Sequence, residues 1–128
     1  MSYTYAKVDE LEGKPVVGSH HCVALVQLYG GAPVTHAWRQ GDTVVGNPKM
    51  AKGTAIATFV NGRYPNNSHG NHAAFFLREV PGGIWVMDQW KDKKKVSISS
   101  RFIRALGQSK SGAYLRPSDN ADAYAVIE

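Results

Sequence analysis

Residues 18–29 read GSHHCVALVQLY. From Cys22 to Tyr29 this run is apolar on most sides, as a buried helix is. Ser19 is an N-cap residue type, which predicts a helix beginning near His20. Gly30-Gly31 and then Pro33 stop it. The only cysteine of the chain therefore falls in the first turn of a helix. Upstream, residues 1–18 read as an entry segment. Downstream, the pattern changes from helix-like to strand-like. Residues 35–47, THAWRQGDTVVGN, predict turns around a short extended piece. Thr54–Val60 (TAIATFV) is rich in β-branched residues and ends at Asn61-Gly62, which predicts a strand. RYPNNSHGN is a polar loop. His72–Val80 and Ile84–Trp90 flank Pro81-Gly82-Gly83, which predicts an antiparallel hairpin. Lys91–Lys95 is a charged loop. Val96–Leu106 begins like a strand and can end as a helix, 108–112 is a turn region, and Ala123–Ile127 reads as a final edge strand. One early helix followed by antiparallel strands is an α+β domain.

The bulk properties agree with one domain over residues 1–128. The chain is long enough for one core, and 43% apolar residues with three Trp, six Tyr and four Phe can fill it. A formal charge of +5 favours acidic partners without naming one. A single cysteine excludes an intramolecular disulfide. The opening MSYTYAKVDELEGK holds no apolar stretch of signal-peptide length, and no run is long enough to span a bilayer. The expectation is synthesis in the cytoplasm, no membrane insertion, and delivery by another route if the protein acts outside.

Thiol catalysis requires a deprotonated sulfur, a base to hold the proton and donors for the developing oxyanion. A helix N-terminus favours the thiolate and presents free N–H groups. Cys22 is placed for this. His72, at the start of a strand behind Gly70-Asn71, is the candidate base. Residues 72, 74 and 76 share a strand face. With the turn centred on Gly82, Asp88 lies opposite residue 76 on that face, a pair-step or more from His72, and a bulge closes the gap. Gln89 is the alternative third residue. Against this stands the ordinary role of a lone cysteine, a small buried hydrophobe.

Other residues were candidates for different chemistry. His20, His21 and Cys22 together with His69 and His72 suggest a zinc site, but residues three apart on loop and strand point to opposite faces and no second cysteine is present. No metal or other cofactor is expected. Between nucleophile and base, Trp38, Arg39, Arg63 and Tyr64 are candidate substrate-side residues, with His21 and Trp90 as further walls of the groove. An arginine fork suits a carboxylate. The bland alternatives are core packing for Trp38 and solvent exposure for Arg63 and His21. A nucleic-acid-binding domain is the rival class, but the aromatic residues sit in strand-like runs rather than among the lysines.

The segments HCVALVQLYGGAP, THAWRQGDTVVGN, GTAIATFVNGRYPNN, GNHAAFFL, GIWVMDQW, SSRFIRALG and NADAYAVI resemble the second group of type VI secretion amidase effectors, which includes eukaryotic relatives acquired by gene transfer. More distantly they resemble the NlpC/P60 and CHAP amidases. The resemblance runs from Gly18 to Ile127. It implies a papain-like α+β fold with the nucleophile helix packed on an antiparallel sheet. It matches Cys22 to the nucleophile, His72 to the base and Asp88 to the third position. It further implies hydrolysis of peptidoglycan stem peptides at the crosslink between meso-diaminopimelate and D-alanine, action in a rival's periplasm, and a cognate immunity protein as partner to a monomeric enzyme. One departure is plain: papain-like enzymes often carry Gln just before the cysteine, and here His21 stands there.

Overall fold

A computed structural model describes residues 2–128. The helix, α1 (Cys22–Gly30), starts later than the capping chemistry of Ser19 predicts. His21 is the N-cap, in extended conformation, and no side chain caps the helix. Ser19 instead lies in a turn closed by the His20 N–H on the Val17 carbonyl at 3.0 Å, with His20 at φ 73°. The C-terminal end follows the glycine rule. Gly31 takes φ 77°, and its N–H donates to the Gln27 carbonyl at 3.1 Å.

Six antiparallel strands follow: β1 (Gln40–Thr43), β2 (Ala55–Thr58), β3 (Ala73–Val80), β4 (Gly83–Asp88), β5 (Ser99–Arg104) and β6 (Tyr124–Ile127). Their order in the single sheet is β1-β6-β2-β3-β4-β5. β6 is therefore not the edge strand its terminal position suggests. It lies between β1 and β2, and all four of its residues are buried. YAVI has no polar residue on either face, as a strand covered on both sides requires. The short, polar β1 forms the edge instead, which suits unpaired strand groups facing water. The ambiguous stretch near residue 100 is strand throughout β5.

Period-two alternation sorts the sheet into two faces. Ala55, Ala57, Ala73, Phe75 and Met87 pack with Leu25 and Val26 of α1. Ile56, Ala74, Phe76, Val86 and Tyr124 form a second cluster with Ala121 and Val44. The entry segment is more than an entry: Val8 and Leu11, in a short 3-10 turn, are fully buried in the first cluster. No helix among the described residues is long and apolar enough to cross a membrane.

The β3–β4 hairpin carries the register on which the site depends. Its turn is tighter than one centred on Gly82, because Val80 pairs with Gly83. A bulge between Phe76 and Arg78 then shifts the pairing by one further residue, giving Phe76 opposite Val86 and Phe75 opposite Met87. Continued one step, this register sets Asp88 across from Ala74 rather than Phe76. The turn and the bulge each contribute one residue of that displacement, and together they bring Asp88 to the diagonal neighbour position of His72.

Candidate active site

The backbone of His72 is fixed first. Its N–H donates to Thr58 Oγ1 at 3.0 Å, and the Thr58 N–H returns a bond to the His72 carbonyl at 3.0 Å. The imidazole Nε2 lies 2.7 Å from Asp88 Oδ2. That pairing leaves Nδ1 for Cys22, whose sulfur also raises the ring's proton affinity. Asp88 is fully buried, and the same Oδ2 accepts from Arg101 Nε at 2.7 Å. Its Oδ1 is buried with no hydrogen-bond partner among the described residues.

The electrostatics of the pair are mutual. Burial pulls the His72 imidazolium down, but the Asp88 carboxylate and the Cys22 sulfur outweigh it and push the ring up to about 9. Burial raises the Cys22 thiol, yet the hydrogen bond and charge of His72, the Ala73 N–H and the Tyr64 hydroxyl together hold it below its ordinary value. Both shifts favour a thiolate–imidazolium pair. Such a pair at the uncapped N-terminus of α1 has a nucleophile, a proton donor and free N–H groups in one place.

Asp88 and Gln89 are adjacent, so their side chains leave the chain on opposite faces. Asp88 meets His72, whereas Gln89 turns to the nucleophile segment. The Val17 N–H donates to Gln89 Oε1 at 2.9 Å, and Gln89 Nε2 donates to the carbonyls of Val17 at 3.1 Å and His21 at 2.9 Å. Gln89 thus holds the turn that delivers Cys22. Gln89→Ala leaves the part-buried Val17 N–H without its acceptor and takes one of two donors from each of the Val17 and His21 carbonyls, and is expected to cost about 1–3 kcal/mol. It also loosens the helix start, so the rate of Cys22 alkylation should fall together with the melting temperature. Melting unchanged from the parent protein would remove this role.

The cleft over Cys22 has a volume of about 530 Å³, with Ser19, His21, Tyr64, Asn66 and Trp90 on its walls. A second hollow continues past His72 and Trp90 towards Arg101 and Asp119. His21 is exposed and faces the cleft. Trp90 stands at the junction, with Lys95 Nζ 4.4 Å and Arg101 Cζ 5.5 Å from its ring centroid.

Three sequence-predicted substrate residues do not reach this space. Trp38 is fully buried, its indole N–H on the Pro33 carbonyl at 2.8 Å and its ring against Tyr64. It backs the wall rather than forming it. Arg39 Nη1 donates to the carbonyls of His36 and Trp38, and Arg63 Nη1 to that of His36. The 35–39 and 60–64 segments fold against one another around the Trp38–Tyr64 stack, which turns both arginines onto backbone oxygens outside the cleft.

Two residues were missed. Arg101 lies in Val96–Leu106, the stretch whose pattern fits both strand and helix. It becomes readable only once β5 is a strand, because Arg101 then pairs with Val86 and shares the face of Asp88. Asn71 looked like a flexible neighbour of Gly70. It is a bridge: Oδ1 accepts from the Asn67 N–H at 2.7 Å, and Nδ2 donates to the Tyr64 hydroxyl at 3.1 Å. No group of three His, Cys, Asp or Glu side chains converges as a metal-binding set among the described residues.

Comparisons with known proteins bear on the chain as a whole. The model of the domesticated amidase effector 2 family matches residues 2–127. A type VI secretion amidase effector 2 protein of Salmonella typhi is 52% identical, over the full length of both chains. A solved structure titled type 6 secretion amidase effector 2 superposes with a TM-score of 0.92 at 51% identity, covering 98% of this chain and 94% of that one. Match length, identity and shape concur, and the chain belongs to the domesticated amidase effector 2 family.

Proposed function

We propose that the protein is a secreted antibacterial effector, a cysteine amidase that cuts peptidoglycan at the stem-peptide crosslink between D-alanine and meso-diaminopimelate. The observation that carries this reading is the Cys22–His72–Asp88 alignment on the floor of an open cleft, in a chain whose relatives are named amidase effectors. The Cys22 thiolate attacks the D-alanine carbonyl. The oxyanion forms beside the first-turn N–H groups of α1. His72 gives its proton to the departing diaminopimelate amine, leaving an acyl-enzyme that water, activated by the now neutral His72, hydrolyses. Asp88 orients the ring and stabilises its charge. The chain acts as one domain and as a monomer in the target-cell periplasm, and an immunity protein protects the producer by covering the cleft. A net charge of +5 supports attraction to a wall rich in carboxylates.

Muropeptide profiling of digested sacculi tests the substrate and the bond together. The expected result is loss of crosslinked dimers and a matching rise of monomers. Dipeptide fragments with dimers intact would place the cut elsewhere in the stem, and an unchanged profile would remove the substrate.

The pH dependence of kcat/KM should be a bell. Activity falls at acid pH as the thiolate protonates, below the ordinary thiol range because Cys22 is lowered. It falls again at alkaline pH as His72 loses the proton it must deliver, with a limb at about 9. An alkaline limb near the ordinary histidine value would show that Asp88 and Cys22 do not hold the imidazolium.

A further inference from the structure

An oxyanion hole needs at least a second donor beside the Cys22 N–H. The residue before the cysteine does not supply an oriented one. His21 is exposed, and no hydrogen bond fixes its ring among the described residues. The cleft wall also carries Tyr64.

Tyr64 is only 7% exposed, and its ring packs against Trp38 with centroids 4.9 Å apart. Its hydroxyl lies 3.8 Å from Cys22 Sγ. The direction of the hydroxyl proton follows from its neighbours. Asn71 Oδ1 is committed to the Asn67 N–H, so the amide presents Nδ2 to Tyr64. The phenolic oxygen thus accepts from Asn71, and its one proton is left to point elsewhere, with Cys22 the group in reach. An oxygen on a carbon bonded to sulfur lies roughly 2.7 Å from that sulfur, so a hydroxyl at this position can come within about 3 Å of it. Burial and the Cys22 charge both raise Tyr64, so the hydroxyl keeps its proton at any working pH.

We infer that the Tyr64 hydroxyl, aimed by Asn71, is the second donor of the oxyanion hole and takes the place that a glutamine before the cysteine would fill. The inference rests on Cys22 being the nucleophile and not on the identity of the substrate. Tyr64 is then a catalytic residue that touches the reacting oxygen, and Asn71 is a positioning residue that acts through it. The competing role for the same contact is ground-state tuning, in which Tyr64 donates to the thiolate alone.

Two reactions of Cys22 separate these roles. Alkylation by iodoacetamide consumes the thiolate without forming an oxyanion. Acylation by p-nitrophenyl acetate consumes the same thiolate and forms one. The readout is the ratio of acylation to alkylation rate constants, measured on the full chain. In Tyr64→Phe this ratio should fall by about 10²-fold, with alkylation within about threefold of the parent protein. Asn71→Ala, which keeps the phenol but releases its aim, should lower the ratio by roughly tenfold, and it serves as the second variant should Tyr64→Phe fold poorly. An unchanged ratio in both variants, or equal losses in both reactions, overturns the assignment. So does a loss in His21→Ala as large as that in Tyr64→Phe. Digestion of sacculi, run in parallel, fails or succeeds independently: a parent protein that acylates normally but leaves sacculi intact would refute peptidoglycan as substrate while the Tyr64 ratio still stands or falls by itself.

Discussion

Cys22→Ala should abolish stem-peptide release, a loss of about 10⁴-fold or more in kcat, while the protein stays folded. The size follows from the chemistry. No other thiol exists in the chain, and a side chain that cannot form the acyl intermediate leaves only binding and oxyanion donors to act on the substrate. The small effect on stability follows from placement. Cys22 is half-buried at a helix start, and no backbone group depends on its sulfur for a partner in the helix. Removing it should shift stability by only about 1 kcal/mol. Muropeptide analysis alongside thermal melting checks both halves. A folded Cys22→Ala protein that still cleaves sacculi removes the nucleophile assignment outright.

Asp88 should show the opposite profile, large effects on activity and stability together. Its carboxylate has no exposure and accepts from two charged or chargeable groups through one oxygen. Asp88→Ala leaves the Arg101 guanidinium and the His72 ring facing a buried void, with an expected cost of about 3–5 kcal/mol. Asp88→Asn is the sharper probe. With its oxygen at the Oδ2 position it can still accept from His72 and Arg101, and its amide then occupies the place where Oδ1 has no partner. The charge alone is lost. The expected result is about 10²–10⁴-fold in kcat. The alkaline limb should also move down from about 9, because the Asp88 hydrogen bond and charge are leading causes that raise His72. An Asn variant that keeps the limb in place would show that Asp88 is a packing residue.

What could be read from the sequence was whatever local pattern controls. The helix, the hairpin and the α+β class came from periodicity and glycines. Cys22 and His72 came from residue type and position, and the family from nearly the whole chain. What could not be read was what tertiary packing decides. Ser19 has the chemistry of a cap, yet Gln89, far along the chain, holds the turn that makes His21 the cap instead. Trp38 has the shape of a groove wall, but fully burying its indole against Tyr64 wins. The placing of β6 inside the sheet depends on β1 taking the edge, which no pattern within YAVI alone reveals. Arg101 became visible only through the pairing of β4 with β5.

The tight turn and the bulge in the β3–β4 hairpin have a consequence for how this sequence can change. They act as a ruler whose length sets the spacing of an acid–base pair. Adding or deleting one residue between His72 and Asp88 rotates one of the two out of the shared face, and only a compensating change at the other mark restores it. The hairpin is therefore closed to insertions during divergence, although its tip is exposed to solvent where most loops lengthen freely. The residues between Tyr64 and Asn71, which border the cleft without setting the spacing of the acid–base pair, are where variants with new substrate preferences should be sought.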